Sequence, residues 1–310
     1  MENNQKPPCN QKGYIRLANN YSKAFIRQIA RWYVRNMPLE RGKGALVNSL
    51  KEIDKRSKDN VITRIAPEIQ MELDLNSHIE RRIFYFGFYR PWVLEHFDRL
   101  LKPDQFVVDI GANVGLFSLW AANKVGSIGS IFAFEPEQIC YKKLQRNIEI
   151  NSLTTIKSEN AAVSDFDGNA TLYLNGEGDE NFGQSSLAEL SSHRRQLTIP
   201  CWTLDSYFEQ NNIPHIDVLK IDTQGAELQV LRGAANLLEA HHPSILLRCT
   251  EERSQALGET TADIQELLLQ SDYRLFEIEQ SSKLVKISAP RLVEDGTFLA
   301  LWHGHMDPNN

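Results

Sequence analysis

Two carboxylates and two glycines stand where they could hold a nucleoside. Asp109 sits two residues before Gly111 at the end of the apolar run Phe106-Val107-Val108, Gly115 follows, and Glu135 closes a second run, Ile131-Phe132-Ala133-Phe134. Short runs of β-branched and aromatic residues read as buried parallel strands. Val114, Phe117, Ser118 and Ala121 then start a helical pattern. A strand, a glycine turn and a helix allow a ligand to approach the backbone and the helix N-terminus. A carboxylate at the next strand tip is placed to accept both hydroxyls of a ribose.

The glycine spacing selects among nucleosides. A nicotinamide dinucleotide site wants G-x-G-x-x-G, so that the pyrophosphate rests on the helix N-terminus. Here the spacing is Gly111-x-x-x-Gly115, and Asp109 points a negative charge into the same turn. That charge would repel a pyrophosphate and suits a cationic ligand without phosphate. S-adenosylmethionine, with its ammonium and sulfonium, meets that description.

The elements around these residues alternate. Strands are expected at 106–110, 130–135, 155–163, 216–222, 244–249, 273–279 and 297–302, and helices at 114–124, 137–151, 204–211, 226–239 and 261–271. This order predicts an α/β fold with a doubly wound, mainly parallel sheet of seven strands. Only a loop joins the last two strands, which predicts an antiparallel hairpin at one edge. Segments 170–174 and 197–201 read as a strand pair bracketing a loop, 175–195, rich in Gly, Asn and Ser. An insertion there would lie near the carboxyl ends of the strands, where ligands bind. Its Ser185, Ser186 and His193 are candidate acceptor ligands, with His193 also a candidate base.

Composition bounds the rest. A hydrophobic fraction of 42% and a charged fraction of 24% are those of an ordinary globular protein. No apolar run approaches a membrane span, and the polar start is no signal peptide. Cys9, Cys140, Cys201 and Cys249 lie far apart without a C-x-x-C pair, as reduced thiols of a cytoplasmic protein would. Residues 1–100 hold 18 Lys+Arg against 11 Asp+Glu, and the remainder 16 against 29. An acidic catalytic half argues against a nucleic acid lying across the active face. Residues 1–20 are expected to be disordered. From 21 to 55 the chain reads as basic amphipathic helix broken near Pro38 and Gly42-Lys43-Gly44. Phe25, Ile29, Trp32 and Tyr33 recur at helical spacing among Arg27, Arg31 and Arg35, either as a packing face with solvated arginines, the preferred reading, or as an attachment to an anionic surface. Residues 69–75 alternate as a half-buried strand, and 91–101 as a helix.

Taken together, Val108-Asp109-Ile110-Gly111-Ala112-Asn113-Val114-Gly115, Phe134-Glu135-Pro136, Asn160-Ala161-Ala162-Val163-Ser164-Asp165 and Leu204-Asp205 resemble the FkbM-type family of class I, Rossmann-like S-adenosylmethionine-dependent methyltransferases. The most specific stretch is Asp217-Val218-Leu219-Lys220-Ile221-Asp222-Thr223-Gln224-Gly225-Ala226-Glu227, followed by Leu231-x-Gly233-Ala234. The chain departs from many members at Thr223-Gln224, where they carry Val-Glu, and at Leu247-Arg248, where they carry an acid.

The resemblance implies methyl transfer to a hydroxyl on a sugar, polyketide or other small metabolite. By position, Asp109, Gly111, Asn113 and Gly115 would surround the methionine part and ribose of the cofactor. Glu135 would hold the ribose hydroxyls, and Asn160 and Ala161 would border the adenine. Asp222 would face the methyl and the acceptor, with Glu227 in support and Gln224 beside the acceptor. An alcohol is a poor nucleophile, so a base or a divalent metal is compatible with the chemistry, although no metal ligand set is indicated. His303-Gly304-His305 reads as a solvated tail, and His241-His242-Pro243 as a helix-to-strand cap. No Asn-Pro-Pro-Tyr run suits amino methylation of adenine.

The expected organisation is a basic helical extension over residues 1–66, a methyltransferase domain over 67–303 with its insertion at 170–201, and a tail over 304–310. The rival readings are a non-catalytic S-adenosylmethionine-binding module and a dinucleotide-dependent oxidoreductase. The expected partner is a small-molecule acceptor, without nucleic acid or a membrane span, and the extension offers a surface for homo-oligomers.

Overall fold

The computed structural model describes residues 11–37, 41–55, 60–174, 185–189 and 195–304, with the backbone alone for 11–22 and 55. Helices α1 (Gln11–Asn36), α2 (Lys43–Ser49) and α3 (Lys51–Lys55) come first. The hairpin β1 (Val61–Ala66) and β2 (Ile69–Leu73) precedes helices α4 (His78–Phe86) and α5 (Pro91–Leu100). The nucleotide-type core opens with β3 (Phe106–Ile110), α6 (Leu116–Val125), β4 (Ser130–Phe134), α7 (Gln138–Ile150) and β5 (Ile156–Glu159). It continues through β6 (Ala162–Val163), β7 (Gly168–Tyr173), β8 (Gln196–Trp202), α8 (Leu204–Gln210), β9 (Val218–Ile221), α9 (Glu227–Arg232) and α10 (Ala235–His241). The last elements are β10 (Ser244–Thr250), α11 (Glu251–Gln255), α12 (Thr261–Gln270), β11 (Tyr273–Ile278), β12 (Leu284–Ile287) and β13 (Asp295–Trp302).

The chain divides into two compact units. One comprises 1–61 and 73–87, the other 62–72 and 88–310. In the second, the main sheet has the order β12-β11-β13-β10-β9-β3-β4-β5. Strands β10, β9, β3, β4 and β5 are parallel, whereas β13 runs antiparallel to both β10 and β11. The alternation of strand residues explains the two layers. Val108, Phe132, Leu219 and Leu247 pack on one side with Leu204, Leu231, Leu238 and Leu268 of α8, α9, α10 and α12. Val107, Ile131, Val218 and Leu246 pack on the other with Phe97, Ala122 and Leu144 of α5, α6 and α7. With both faces covered, the central strands β3, β4 and β9 are apolar except for Asp109, Ser130 and Lys220. Local signals set the helix ends: Ser77 caps α4, Gly87 ends it at φ +90°, and Thr260 with Asp263 forms a capping box on α12.

Four expectations need correction. The sheet has eight strands rather than seven, because β12 lies within the expected final loop and pairs with β11. The expected strand 155–163 is two: β5 belongs to the main sheet, and β6 to a separate sheet ordered β6-β8-β7. The expected helix 226–239 breaks into α9 and α10 at Gly233–Ala234, where the chain passes so close to Ser164 that a Cβ on Gly233 would lie 2.0 Å from its carbonyl oxygen. Helix α1 starts at Gln11, ahead of the expected start near residue 21.

Candidate active site

Three adjacent strand ends, those of β4, β3 and β9, bring Glu135, the Gly111–Gly115 turn and Asp222 to the carboxyl edge of the sheet. Asp222 N–H donates to Ile110 O at 3.0 Å, and a Cβ on Gly111 would lie 2.0 Å from Asp222 O. Gly111 also has φ +75°. Only glycine satisfies both the close approach and the left-handed backbone.

The turn is closed internally. Gly111 and Ala112 N–H both donate to Phe134 O (2.9 and 3.0 Å), and Gly115 N–H donates to Ala112 O (2.9 Å). Asn113 N–H donates to Glu135 Oε2 at 2.7 Å, and Val114 N–H to Asn113 Oδ1 at 2.8 Å. All five amides from 111 to 115 therefore have protein acceptors. A phosphate cradle needs free ones. Below the turn, the fully buried Asn147 accepts from Glu72 N–H (2.7 Å) and donates to Val114 O (2.9 Å), joining hairpin strand β2 to the turn.

Asp109 does not present a bare charge. It is fully buried, its Oδ2 accepts from Ser118 Oγ (2.6 Å), and Lys220 Nζ lies 2.8 Å from its Oδ1. The same ammonium donates to Gly111 O (2.8 Å) and Ile110 O (3.3 Å). Sequence reasoning assigned Lys220 no role. The available signal was a lysine inside the buried run Val218-Leu219-Lys220-Ile221, which must meet an acid when strands β3 and β9 pair.

Glu135 is buried and holds the loops on either side of it. Besides Asn113, it accepts Glu137 N–H at Oε1 (2.9 Å). Burial pushes its pKa up to about 7, against the pull of those two amides. One further acceptor position on each oxygen leaves capacity for a diol. Asn160 donates to Glu135 O (2.9 Å) and Pro136 O (3.0 Å), fixing the loop after β4, and Ala161 is buried beside it.

Asp222 is partly exposed, and it does not cap α9, whose N-cap is Ala226 with no side-chain bond. Its Oδ1 accepts from Gln224 Nε2 (2.5 Å) and lies 3.7 Å from Arg248 Nη1. Arg248 also binds Asp295 at 3.0 Å. Burial would lower the Arg248 pKa, but the two aspartates outweigh it and hold it above its ordinary value. Glu227 is fully buried and accepts from Thr223 N–H (3.1 Å), Thr223 Oγ1 (3.0 Å) and Gly225 N–H (3.1 Å). Burial, reinforced by the Asp222 charge, raises its pKa. Its hydrogen bonds all go to the turn that follows Asp222, two backbone amides and the Thr223 hydroxyl.

Part of the inserted loop meets the same turns. Ser186 Oγ donates to Gln224 O (2.5 Å) and accepts from Ala188 N–H (2.9 Å), while Ser185 Oγ donates to Glu137 Oε2 (3.1 Å). His193 and His305 lie outside the described residues. His242 ends α10 in the left-handed region and stacks on Trp302 with ring centroids 4.1 Å apart. Among the described residues, no three His, Cys, Asp or Glu side chains converge as a metal site.

The profile of the family described as Methyltransferase FkbM domain matches residues 109–275. Methyltransferase sdnD of Sordaria araneosa is 31% identical over 161 residues, covering 43% of this chain and 61% of its own. Hexuronic acid methyltransferase AglP of Haloferax volcanii is 27% identical over 143 residues, covering 45% of this chain and 54% of its own. The 31-O-demethyl-FK506 methyltransferase FkbM of Streptomyces tacrolimicus is 27% identical over 190 residues, covering 52% of this chain and 71% of its own. The match thus spans less than two thirds of the first two relatives.

Proposed function

The chain belongs to the FkbM methyltransferase family, and we propose that it transfers a methyl group from S-adenosylmethionine to a hydroxyl of a small metabolite. The observation that carries this reading is the set of three strand ends, Glu135, Gly111 and Asp222, side by side at the carboxyl edge of β4, β3 and β9. The relatives named hexuronic acid methyltransferase and 31-O-demethyl-FK506 methyltransferase support an acceptor of that kind.

The bound cofactor would supply an electrophilic methyl on a sulfonium with its own leaving group, so the protein's work is alignment and water exclusion. Glu135 accepts the ribose hydroxyls through its free lone pairs, while Asn113 and Asn160 border the nucleoside. Asp109 acts through Lys220, whose bonds to Ile110 O and Gly111 O hold the turn in the shape the methionine part needs. Asp222 accepts the acceptor's hydroxyl proton, with Gln224, Ser185 and Ser186 orienting the acceptor, and Glu227 fixes the Asp222 turn. The internally satisfied amides of 111–115 support this ligand over a dinucleotide.

Residues 67–303 would form the catalytic domain and 1–66 the extension. No helix among the described residues is long and apolar enough to cross a membrane. Cys140, Cys201 and Cys249 are buried thiols outside any disulfide, which supports the reading of a cytoplasmic enzyme. Calorimetry with S-adenosylmethionine, S-adenosylhomocysteine and NAD tests the ligand, and radiolabel transfer to uronic acids and hydroxylated polyketides tests the reaction. Binding of NAD alone overturns the proposal. Binding of S-adenosylmethionine without transfer to any hydroxylated acceptor leaves the non-catalytic module as the reading.

A further inference from the structure

Helix α1 packs by the side that sequence reasoning assigned to solvent. Arg27 is buried, with Nε 2.8 Å from Asp54 Oδ1 and Nη2 donating to Ile53 O at 3.0 Å. Tyr85 OH reaches the same Asp54 carboxylate at 3.2 Å. Arg31 lies over the Phe84 ring, and Arg35 Nη2 donates to Phe84 O at 2.9 Å, in the last turn of α4, where carbonyls lack helical partners. Ala30 and Val34 are buried on the same side. The preferred reading of solvated arginines is therefore corrected: backbone carbonyls and one buried acid draw them inward.

The opposite side carries the large apolar residues. Phe25, Ile29 and Trp32 are 66%, 52% and 60% exposed, and Ile26 is 41% exposed. Spacings of four and three place Phe25, Ile29 and Trp32 on one stripe, with Ile26 three residues from Ile29. Scattered exposed apolar residues are ordinary, but a continuous stripe of this size marks an interaction surface.

We infer that this stripe seats in the interface of an anionic phospholipid bilayer, with α1 lying along the surface. Charge selects the occupant. Helix α1 contains six Lys or Arg and no Asp or Glu. The unit that holds it, 1–61 and 73–87, carries 15 Lys+Arg against 7 Asp+Glu, a net of +8. Pairing two α1 stripes would bring together two units that each carry a net of +8, which disfavours a second copy. The other exposed large apolar residues of the second unit, Ile62, Ile128, Ile139, Phe166 and Leu292, stand on separate segments. A bilayer supplies both complements: an acyl boundary for Phe25 and Ile29 with a headgroup level for the Trp32 indole, and negative charge for a basic unit.

The test is co-sedimentation of the full chain with phosphatidylcholine vesicles and with mixed phosphatidylcholine–phosphatidylglycerol vesicles. Retention is expected on the mixed vesicles alone, weakened at least about tenfold by the pair Phe25→Ser and Trp32→Ser. Ile29→Glu, which leaves both aromatics in place, should release the protein as well. Light scattering reads the alternative occupant. Failure to bind the mixed vesicles, retention that survives all three substitutions, or a dimer that the paired substitution dissolves would each overturn the inference.

Discussion

Lys220 and Asp109 face each other across paired positions of β9 and β3, with 2.8 Å between ammonium and carboxylate and neither side chain more than 7% exposed. Two ions taken out of water together are tolerable, while either one alone is not. The pair also ties strand to turn, because the same ammonium holds Ile110 O and Gly111 O.

Lys220→Met and Asp109→Asn should therefore each destabilise the fold by about 3–5 kcal/mol in denaturant unfolding, and the double substitution by less than the sum. Cofactor affinity should fall in the single variants because the turn relaxes. Additive losses in stability would show that the two charges do not depend on each other.

Glu135 gives a pH prediction. Its pKa is pushed up to about 7 by burial, against an ordinary 4.5. The folded protein then binds more protons than the unfolded chain between these values. Stability contributed by this group is full below pH about 4.5 and declines as pH rises toward 7, by on the order of 3 kcal/mol. Cofactor binding should run the other way, strengthening as pH rises through 7, because ribose hydroxyls donate to the carboxylate. Melts and titrations from pH 5 to 8 check both slopes, and Glu135→Gln should flatten them. Slopes that persist in Glu135→Gln belong to another group.

The parallel strands and the nucleoside turn were legible because buried parallel strands must be apolar and because few residues fit a left-handed turn. Edge strand β12 was not: Leu284-Val285-Lys286-Ile287 is short, mixed and flanked by polar residues, so pairing with β11 rather than its own pattern makes it a strand. The break between β5 and β6 comes from the Asn160 side chain reaching the carbonyls of Glu135 and Pro136, a long-range event that periodicity does not carry. For α1, amphipathicity revealed two faces but not which one packs, since that depended on Asp54 and on the carbonyls of α4.

On the proposed reading Glu227 serves the turn rather than the acceptor, as its bonds to Thr223 and Gly225 suggest. Glu227→Ala would strand the amides of Thr223 and Gly225 and should cost about 2–4 kcal/mol. Glu227→Gln keeps one acceptor but turns an NH2 toward a donor, so it should cost about 1–3 kcal/mol. Turnover of the folded Gln variant should stay within about tenfold of the parent. A Gln variant with full stability and a turnover loss of about a thousandfold would instead make Glu227 the chemical base.

In the proposed reaction Asp222 is the residue on which transfer turns. A helix-capping role is set aside by the geometry, since its carboxylate binds Gln224 and faces Arg248 rather than the amides of α9. A partly exposed carboxylate beside the glycine turn can take or orient a hydroxyl proton. Asp222→Asn keeps the shape and the contact with Gln224 but removes the base. Turnover should fall by about a hundredfold or more while calorimetric affinity for the cofactor holds. On that proposal Arg248, 3.7 Å from Asp222 Oδ1, would act through Asp222 as a positioning residue. Arg248→Met should lower turnover about tenfold in the parent and little further in Asp222→Asn, because the second change has nothing left to orient. The cycle separates the roles: equal losses in both backgrounds would give Arg248 its own contact with the acceptor. Nearly unchanged turnover in Asp222→Asn, with only a lower melting temperature, would move the base to the inserted loop that carries His193.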